Sequence, residues 1–135
     1  MSLIEVLALA AIVLAALYLL ALGAASLVAP ARASRFLLGF ASSQPIHFVE
    51  LSLRLVVGAA LVLYAPQMFL PSAFNLFGWV LLVTTVCLLL VPWRWHHRFA
   101  QFAVPRVTRY IGLVGVASLV LGGFILVAVA RGSAA

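Results

Sequence analysis

The sequence predicts an all-α membrane protein, in which four transmembrane helices form two parallel helical hairpins with short interfacial amphipathic connectors. Of its 135 residues, 67% are hydrophobic and only 7% are charged, whereas about 25% of the residues in an average soluble domain are charged. A hydrocarbon core about 30 Å thick requires roughly 20 apolar residues per helical crossing. Four stretches have about this length: Leu3–Ala29, Ile46–Tyr64, Ala73–Val91 and Val107–Ala130.

Other classes fit the composition less well. A soluble helical bundle is disfavoured because eight Arg and two Glu are too few to cover the surface of a chain of this size. A transmembrane β-barrel is disfavoured because barrel strands alternate apolar and polar residues, and these stretches are continuously apolar. The first stretch is unlike a signal peptide, since its start has an acid, Glu5, and no base. We therefore expect a retained first helix and a single transmembrane domain over residues 1–135.

The first helix carries alanine at four-residue spacing, as in the pairs Ala11/Ala15 and Ala21/Ala25. Small residues at this spacing let helix backbones approach closely in lipid, where packing drives association. The spacing predicts a helix that packs against others until Pro30 ends it.

Residues 30–45 form the first connector. Its Phe36, Leu37 and Phe40 fall on one helical face, with Arg32 and Arg35 nearer the other. This pattern predicts a short amphipathic helix lying at the level of the lipid headgroups. An irregular connecting loop is the alternative.

The second helix carries the charges placed deepest in the apolar stretches. His47, Glu50 and Arg54 recur at i, i+3 and i+7, so they project from one face, with Glu50 and Arg54 at ion-pair spacing. Charges within lipid cost about 2.5–3.5 kcal/mol each and usually mark function or a specific helix contact. We predict that the pair either fixes helix packing or lines a ligand or proton site. In the third helix, Thr84 and Thr85 are expected to bond back to their own helix.

The second connector interleaves Trp and Arg, which is typical of the belt of a membrane protein at the headgroup level. The predicted headgroup-contacting residues of both connectors are Arg32, Arg35, Trp93, Arg94, Trp95, His96, His97, Arg98, Arg106 and Arg109. The predicted helix-packing residues are Gly58, Gly112, Gly115, Ser118 and Gly122. Because the Arg residues outside the spans concentrate on one side, leaving Arg131 on the other, the positive-inside rule predicts cytoplasmic connectors and both termini outside.

The two halves of the chain, 1–65 and 72–131, resemble each other. Pro30–Phe36 matches Pro92–Phe99 with one insertion, and Arg54 with Gly58 matches Arg109 with Gly112. A parallel repeat about an axis along the membrane normal would give this pattern. The alternative is that the two connectors acquired similar proline and arginine patterns independently, because both lie at the membrane interface. The absence of a counterpart of Glu50 in the second half favours this alternative.

The second half carries Leu90-Val-Pro-Trp-Arg94, then Pro105, then Arg109-Tyr-Ile-Gly112, followed by an apolar run to Arg131. Through these short motifs each half resembles the YjeT-like small bacterial inner-membrane proteins, which are pairs of helices joined by a basic connector. The resemblance covers about 50 residues per half, implies an inner-membrane location and no defined activity, and the present chain departs from it in being doubled.

Several chemical functions are disfavoured by the residues present. The chain has no Asp, so it lacks a Ser-His-Asp set, and we predict no catalytic residue, although catalysis on a lipid by His47 and Glu50 stays open. A metal at His47, Glu50, His96 and His97 is disfavoured by neighbouring Arg and by the lack of paired Glu-x-x-His helices. Haem is disfavoured because none of the His lies mid-helix. We predict no metal and no cofactor.

The small multidrug transporters are similar in length to this chain, but they place an essential acid in the first helix, where this chain has only Glu5 at the edge. We therefore predict a non-enzymatic accessory or scaffold subunit that packs with a membrane partner or with itself. Anionic lipid headgroups, and not nucleic acid, are the expected partners of its positive charge. The alternative is a small transporter or a lipid- or ligand-binding protein that uses Glu50 and Arg54 in a cavity.

Overall fold

The computed structural model describes residues 1–40, 44–91, 94–95, 98–99, 102 and 109–132. Five α-helices occur in this part of the chain, together with one short 3₁₀ helix. They are α1 (Leu3–Val28), α2 (Pro30–Phe40), α3 (Gln44–Tyr64), the 3₁₀ turn Ala65–Gln67, α4 (Pro71–Leu90) and α5 (Ile111–Arg131). Helices α1, α3, α4 and α5 are each long and apolar enough to span a membrane, which confirms an all-α, multi-pass membrane protein.

The helix ends follow from local chemistry. At the start of α1 the Ser2 hydroxyl accepts a hydrogen bond from the Glu5 amide at 3.2 Å, which satisfies one of the free N–H groups of the first turn. Helix α4 begins at Pro71, two residues before the predicted Ala73, because proline fits the first turn of a helix, where its missing N–H is not needed. Leu70 directs the chain into that proline with a left-handed backbone, at φ 57°.

The first connector is helical over Pro30–Phe40, as the pattern of Phe36 and Leu37 predicted. Helix α2 starts one residue after Ala29 and buries Ala33, which is 3% exposed. It packs mainly against α1, with smaller contacts to α5 and α3. The side chain of Phe40, which was predicted to share a face with Phe36 and Leu37, lies outside the described residues.

The most extensive helix contacts join the two halves of the chain. Helix α1 packs most heavily on α5, α3 packs on α4, and α1 also packs on α3. Helices α4 and α5 meet through the stacked rings of Phe74 and Phe124, whose centroids are 5.6 Å apart. The predicted two-half repeat stays a prediction.

Small residues lie where α1 crosses α5. A Cβ added to Gly122 would lie 2.9 Å from the Ala16 carbonyl oxygen, and one added to Gly115 would lie 2.9 Å from the Ser26 Cβ. Ser118 is also buried in α5. Gly112, which was predicted to pack together with Gly115, Ser118 and Gly122, lies outside the crossing of α1 and α5, since an added Cβ would meet nothing within 4 Å. Residues six apart are rotated by about 120° on a helix, so Gly112 and Ser118 cannot share one narrow face.

The face of α1 that packs inward is not the one predicted from Ala11/Ala15 and Ala21/Ala25. The buried residues of this helix are Ala8, Ile12, Ala16, Gly23 and Ser26. Ala11 and Ala15 lie at the edge of that face, while Ala21 and Ala25 are exposed. Alanine occurs around the whole of α1, so its spacing could not identify the buried side.

The two ends of the chain meet the α3–α4 turn at one end of the bundle. The Gln67 side-chain amide donates a hydrogen bond to the Glu5 carboxylate at 2.9 Å, and the Phe69 amide donates to the Ala128 carbonyl at 3.0 Å. The Arg131 guanidinium lies 4.8 Å from the centre of the Phe69 ring, a favourable cation–π distance. The start of α1 and the end of α5 therefore lie at the same end of the bundle as the turn between α3 and α4.

Candidate functional site

The Glu50 and Arg54 side chains face each other on α3, as their spacing predicted. The closest nitrogen and oxygen are 4.0 Å apart, and about a third of each side chain is exposed, 34% for Glu50 and 32% for Arg54. This separation is at the outer limit of an ion pair and is too long for a hydrogen bond. The carboxylate therefore neutralises the guanidinium without holding it in place.

Two threonines of α4 hold the guanidinium. The Arg54 Nε donates a hydrogen bond to the Thr85 hydroxyl at 3.1 Å, and an Nη donates to the Thr84 hydroxyl at 3.3 Å. With the Glu50 carboxylate opposite the other Nη, each of the three guanidinium nitrogens faces a partner. Arg54 thus links α3 to α4 near the middle of the α3 span.

Each threonine hydroxyl has two roles. Thr85 donates to the Leu81 carbonyl at 2.6 Å, and Thr84 donates to the Val80 carbonyl at 2.7 Å, which is the bonding to their own helix that the sequence predicted. The oxygen lone pairs that this leaves free accept from Arg54. Thr85 is 0% exposed, so its hydroxyl is satisfied only by these contacts within the protein.

The link between Arg54 and the threonines was missed at the sequence level. A guanidinium has five N–H donors and no acceptor, and Glu50 alone cannot satisfy five donors. Two adjacent hydroxyls in the otherwise apolar second half of α4 were the available signal for the remaining acceptors.

Tyr18 of α1 is near this cluster. Its phenol lies close enough to the Glu50 carboxylate for the two to interact electrostatically, and its ring is 6.4 Å from that of Phe36, centre to centre. The cluster of Glu50, Arg54, Thr84 and Thr85 is therefore bordered by α1 as well as by α4. The His47 side chain, which was predicted to share this face, lies outside the described residues.

Two shallow hollows mark the surface of the bundle. One follows the outer face of α3 and is lined by Phe48, Val49, Ser52, Leu53 and Val56. The other lies between α1 and α2. Neither hollow is lined by Glu50 or Arg54, so these two hollows give no route to the charged pair.

The predicted headgroup-contacting residues that the structure describes are exposed. They include Arg32 and Arg35 of α2, together with Arg94, Arg98 and Arg109. Trp95 is 66% exposed. The other predicted headgroup-contacting residues, Trp93, His96, His97 and Arg106, lie outside the described residues.

Metal-binding chemistry has no described site. Within the residues whose placement the structure gives, no group of three His, Cys, Asp or Glu side chains comes close enough to hold an ion. The side chains of all three His are outside that set. Cys87 is exposed on α4.

What the cluster can do chemically follows from its contacts. The guanidinium donates hydrogen bonds to Thr84 and Thr85 and lies 4.0 Å from the Glu50 carboxylate, so contacts within its own chain hold it between α3 and α4. Comparison of the chain with protein-family models, with curated proteins and with solved structures finds no match.

Proposed function

We propose that this protein is a non-enzymatic accessory or scaffold subunit, which packs with a membrane partner or with a second copy of itself. The observation that carries the proposal is the pair of hydrogen bonds by which Arg54 of α3 reaches Thr84 and Thr85 of α4, with the Glu50 carboxylate 4.0 Å from its third nitrogen. A charged side chain in lipid usually marks a transport path or a helix contact. Here the contacts of Arg54 join α3 to α4, which favours a structural role.

The outward face of α5 is the surface we propose for the partner helix. Gly112 and Gly123 are eleven residues apart, which places them on one helical face within about 20° of each other. A Cβ added to either would meet nothing within 4 Å, and Val116, between them, is 51% exposed. Small residues with open space beside them allow close approach of another backbone.

The experiment is extraction of the native membrane into polymer-bounded discs without detergent, followed by measurement of the size and composition of the particles. We expect a complex or a homo-oligomer that is lost in the variants Gly112→Leu and Gly123→Leu. Ala10→Leu is the matched control, because Ala10 is also a small exposed residue of a spanning helix. A lone chain in the wild-type discs would contradict the proposal.

The second candidate is a small transporter or a ligand-binding protein that uses Glu50 and Arg54. The partial exposure of both side chains, about a third of each, favours it. Reconstituted vesicles loaded with a fluorescent organic cation test transport by measuring efflux in a proton gradient. Efflux abolished by Glu50→Gln would support transport, and equal rates in protein-containing and empty vesicles would support the scaffold.

We further propose that the membrane is the inner membrane of a bacterium, with both termini outside the cytoplasm. The resemblance of each half to the YjeT-like proteins supports the inner-membrane location, and the six Arg of the connectors support the orientation. An impermeant maleimide tests the orientation in a Cys87→Ser background. We expect labelling of Ser2→Cys in intact cells and labelling of Arg98→Cys only after lysis; the reverse pattern would invert the topology.

A further inference from the structure

The hollow between α1 and α2 is a groove with a volume of about 250 Å³. Ala21 and Ala25, one turn apart on α1, form part of its wall, and both are exposed. Their small side chains leave the space open. Tyr18 and Phe36 border the groove with rings 6.4 Å apart, and each is close to half exposed.

The groove contains one charged side chain among its apolar walls. Arg32 lines it, while Arg35, one turn away on α2, does not. A guanidinium binds phosphate oxygens through parallel N–H donors. A groove with an apolar wall and a single cation matches a molecule with an apolar chain and an anionic group.

The groove follows α1 from Tyr18 to Ala25, seven residues or about 10 Å at 1.5 Å per residue, which is shorter than one leaflet of a bilayer. Tyr18 is ten residues before Val28, the end of α1, so its Cα lies about 15 Å from that end at 1.5 Å per residue. Half of the hydrocarbon core is also about 15 Å thick. Arg32 comes four residues after the end of α1 and lines the same groove.

The volume sets the size of the occupant. Sites that enclose a whole small molecule have volumes of about 300–1,000 Å³, so this groove holds part of a longer molecule. We propose that it binds an anionic phospholipid, with the phosphate on Arg32 and one acyl chain along Ala21 and Ala25 toward Tyr18 and Phe36. This inference is independent of the proposed scaffold function.

The test uses the full chain in bilayer discs that contain equal amounts of phosphatidylglycerol and phosphatidylcholine, and native mass spectrometry counts the lipids that stay bound after release. We expect the wild type to retain one phosphatidylglycerol in preference to phosphatidylcholine. Arg32→Gln should lower that preference about tenfold, because it removes a charge-assisted contact. Arg35→Gln, the matched control on the same helix, should retain it.

A second variant separates the groove from the charge. Ala21→Phe fills the space of the acyl chain, so we expect it to lose both lipids, while its melting temperature reports whether it is folded. If Ala21→Phe loses an oligomer but retains lipid as the wild type does, a protein helix occupies the groove. If Arg32→Gln and Arg35→Gln lower the lipid preference equally, the attraction of phosphatidylglycerol to the positive charge is nonspecific. Either result overturns the proposal.

A wild-type measurement removes the dependence on variants. Phosphatidylglycerol with a photoreactive group midway along one acyl chain should cross-link to peptides that contain residues 18–25 and 32–36. Cross-links distributed equally to the hollow on α3, at residues 48–56, would contradict a specific site.

Discussion

Gly23 of α1 and Gly115 of α5 face each other with their backbones in contact. A Cβ on Gly23 would lie 2.7 Å from the Gly115 carbonyl oxygen, and a Cβ on Gly115 would lie 3.1 Å from that of Gly23. Gly58 of α3 and Gly78 of α4 have the same reciprocal relationship, at 3.2 and 3.0 Å. The two heaviest helix contacts of the bundle are therefore both crossings of glycine on glycine, where only a residue without a Cβ allows this separation.

We predict that Gly23→Ala lowers stability by about 1–3 kcal/mol, the usual range for overpacking a tight contact. The atom in the way is a backbone oxygen, so no rotation of a side chain can relieve the contact. The midpoint of thermal unfolding in a mild detergent measures the effect. Ala24→Ser is the matched control, since it adds one atom at an exposed position of the same helix and should change the midpoint little. Equal midpoints for the two variants would contradict the described crossing.

The spans could be predicted from the sequence, but the pairing of their faces could not. Length and apolar content determine which segments cross a bilayer, and the predicted stretch Leu3–Ala29 agrees with α1 to within one residue. Which face packs depends on the partner helix, and in lipid the hydrophobic effect gives no preference for burying Leu over Ala. Gly23 and Ser26 were for this reason overlooked, while Gly112 was included.

Thr85 should matter more than Thr84 for the link between α3 and α4. Replacement of the fully buried Thr85 by the similarly shaped Val removes the acceptor of the Arg54 Nε–H, and we expect a loss of about 1–2 kcal/mol. Thr84→Val is the matched control, because Thr84 is exposed and its contact with Arg54 is longer, at 3.3 Å. The unfolding midpoints of the two variants give the comparison; a larger effect of Thr84→Val would place the guanidinium elsewhere.

Arg54→Ala should harm the fold more than the double change of Glu50→Gln with Arg54→Leu. The single change leaves an unpaired carboxylate in the span, whereas the double change removes both charges and keeps the apolar volume. We expect a loss of about 1–3 kcal/mol for the single change, below that of a fully buried pair because both side chains are partly exposed. The amount of folded protein in the membrane and its unfolding midpoint measure the difference. An equal loss in the two proteins would give the pair a role beyond its own neutralisation.

The charged pair itself was predictable because i and i+4 spacing places two side chains on one helix face whatever the tertiary structure. The contacts of Arg54 with Thr84 and Thr85 were not predictable, because residues about 30 positions apart meet only if α3 and α4 are aligned in one particular way. Counting the N–H donors of Arg54 against the acceptors on α3 shows that further acceptors are needed, but it does not show which residues provide them.

Gln67 should be sensitive to the sign of the charge introduced there. Its amide donates to the Glu5 carboxylate at 2.9 Å and so joins the first turn of α1 to the turn between α3 and α4. We expect Gln67→Glu to lower stability by about 1 kcal/mol or more, because it replaces a donor by a second carboxylate, while Gln67→Lys keeps a donor and should be close to neutral. Hydrogen exchange of the amides in residues 3–8 measures the local effect, with faster exchange expected for Gln67→Glu only. Faster exchange in both variants would mean that the shape of the glutamine, and not its donor, holds α1 to the turn.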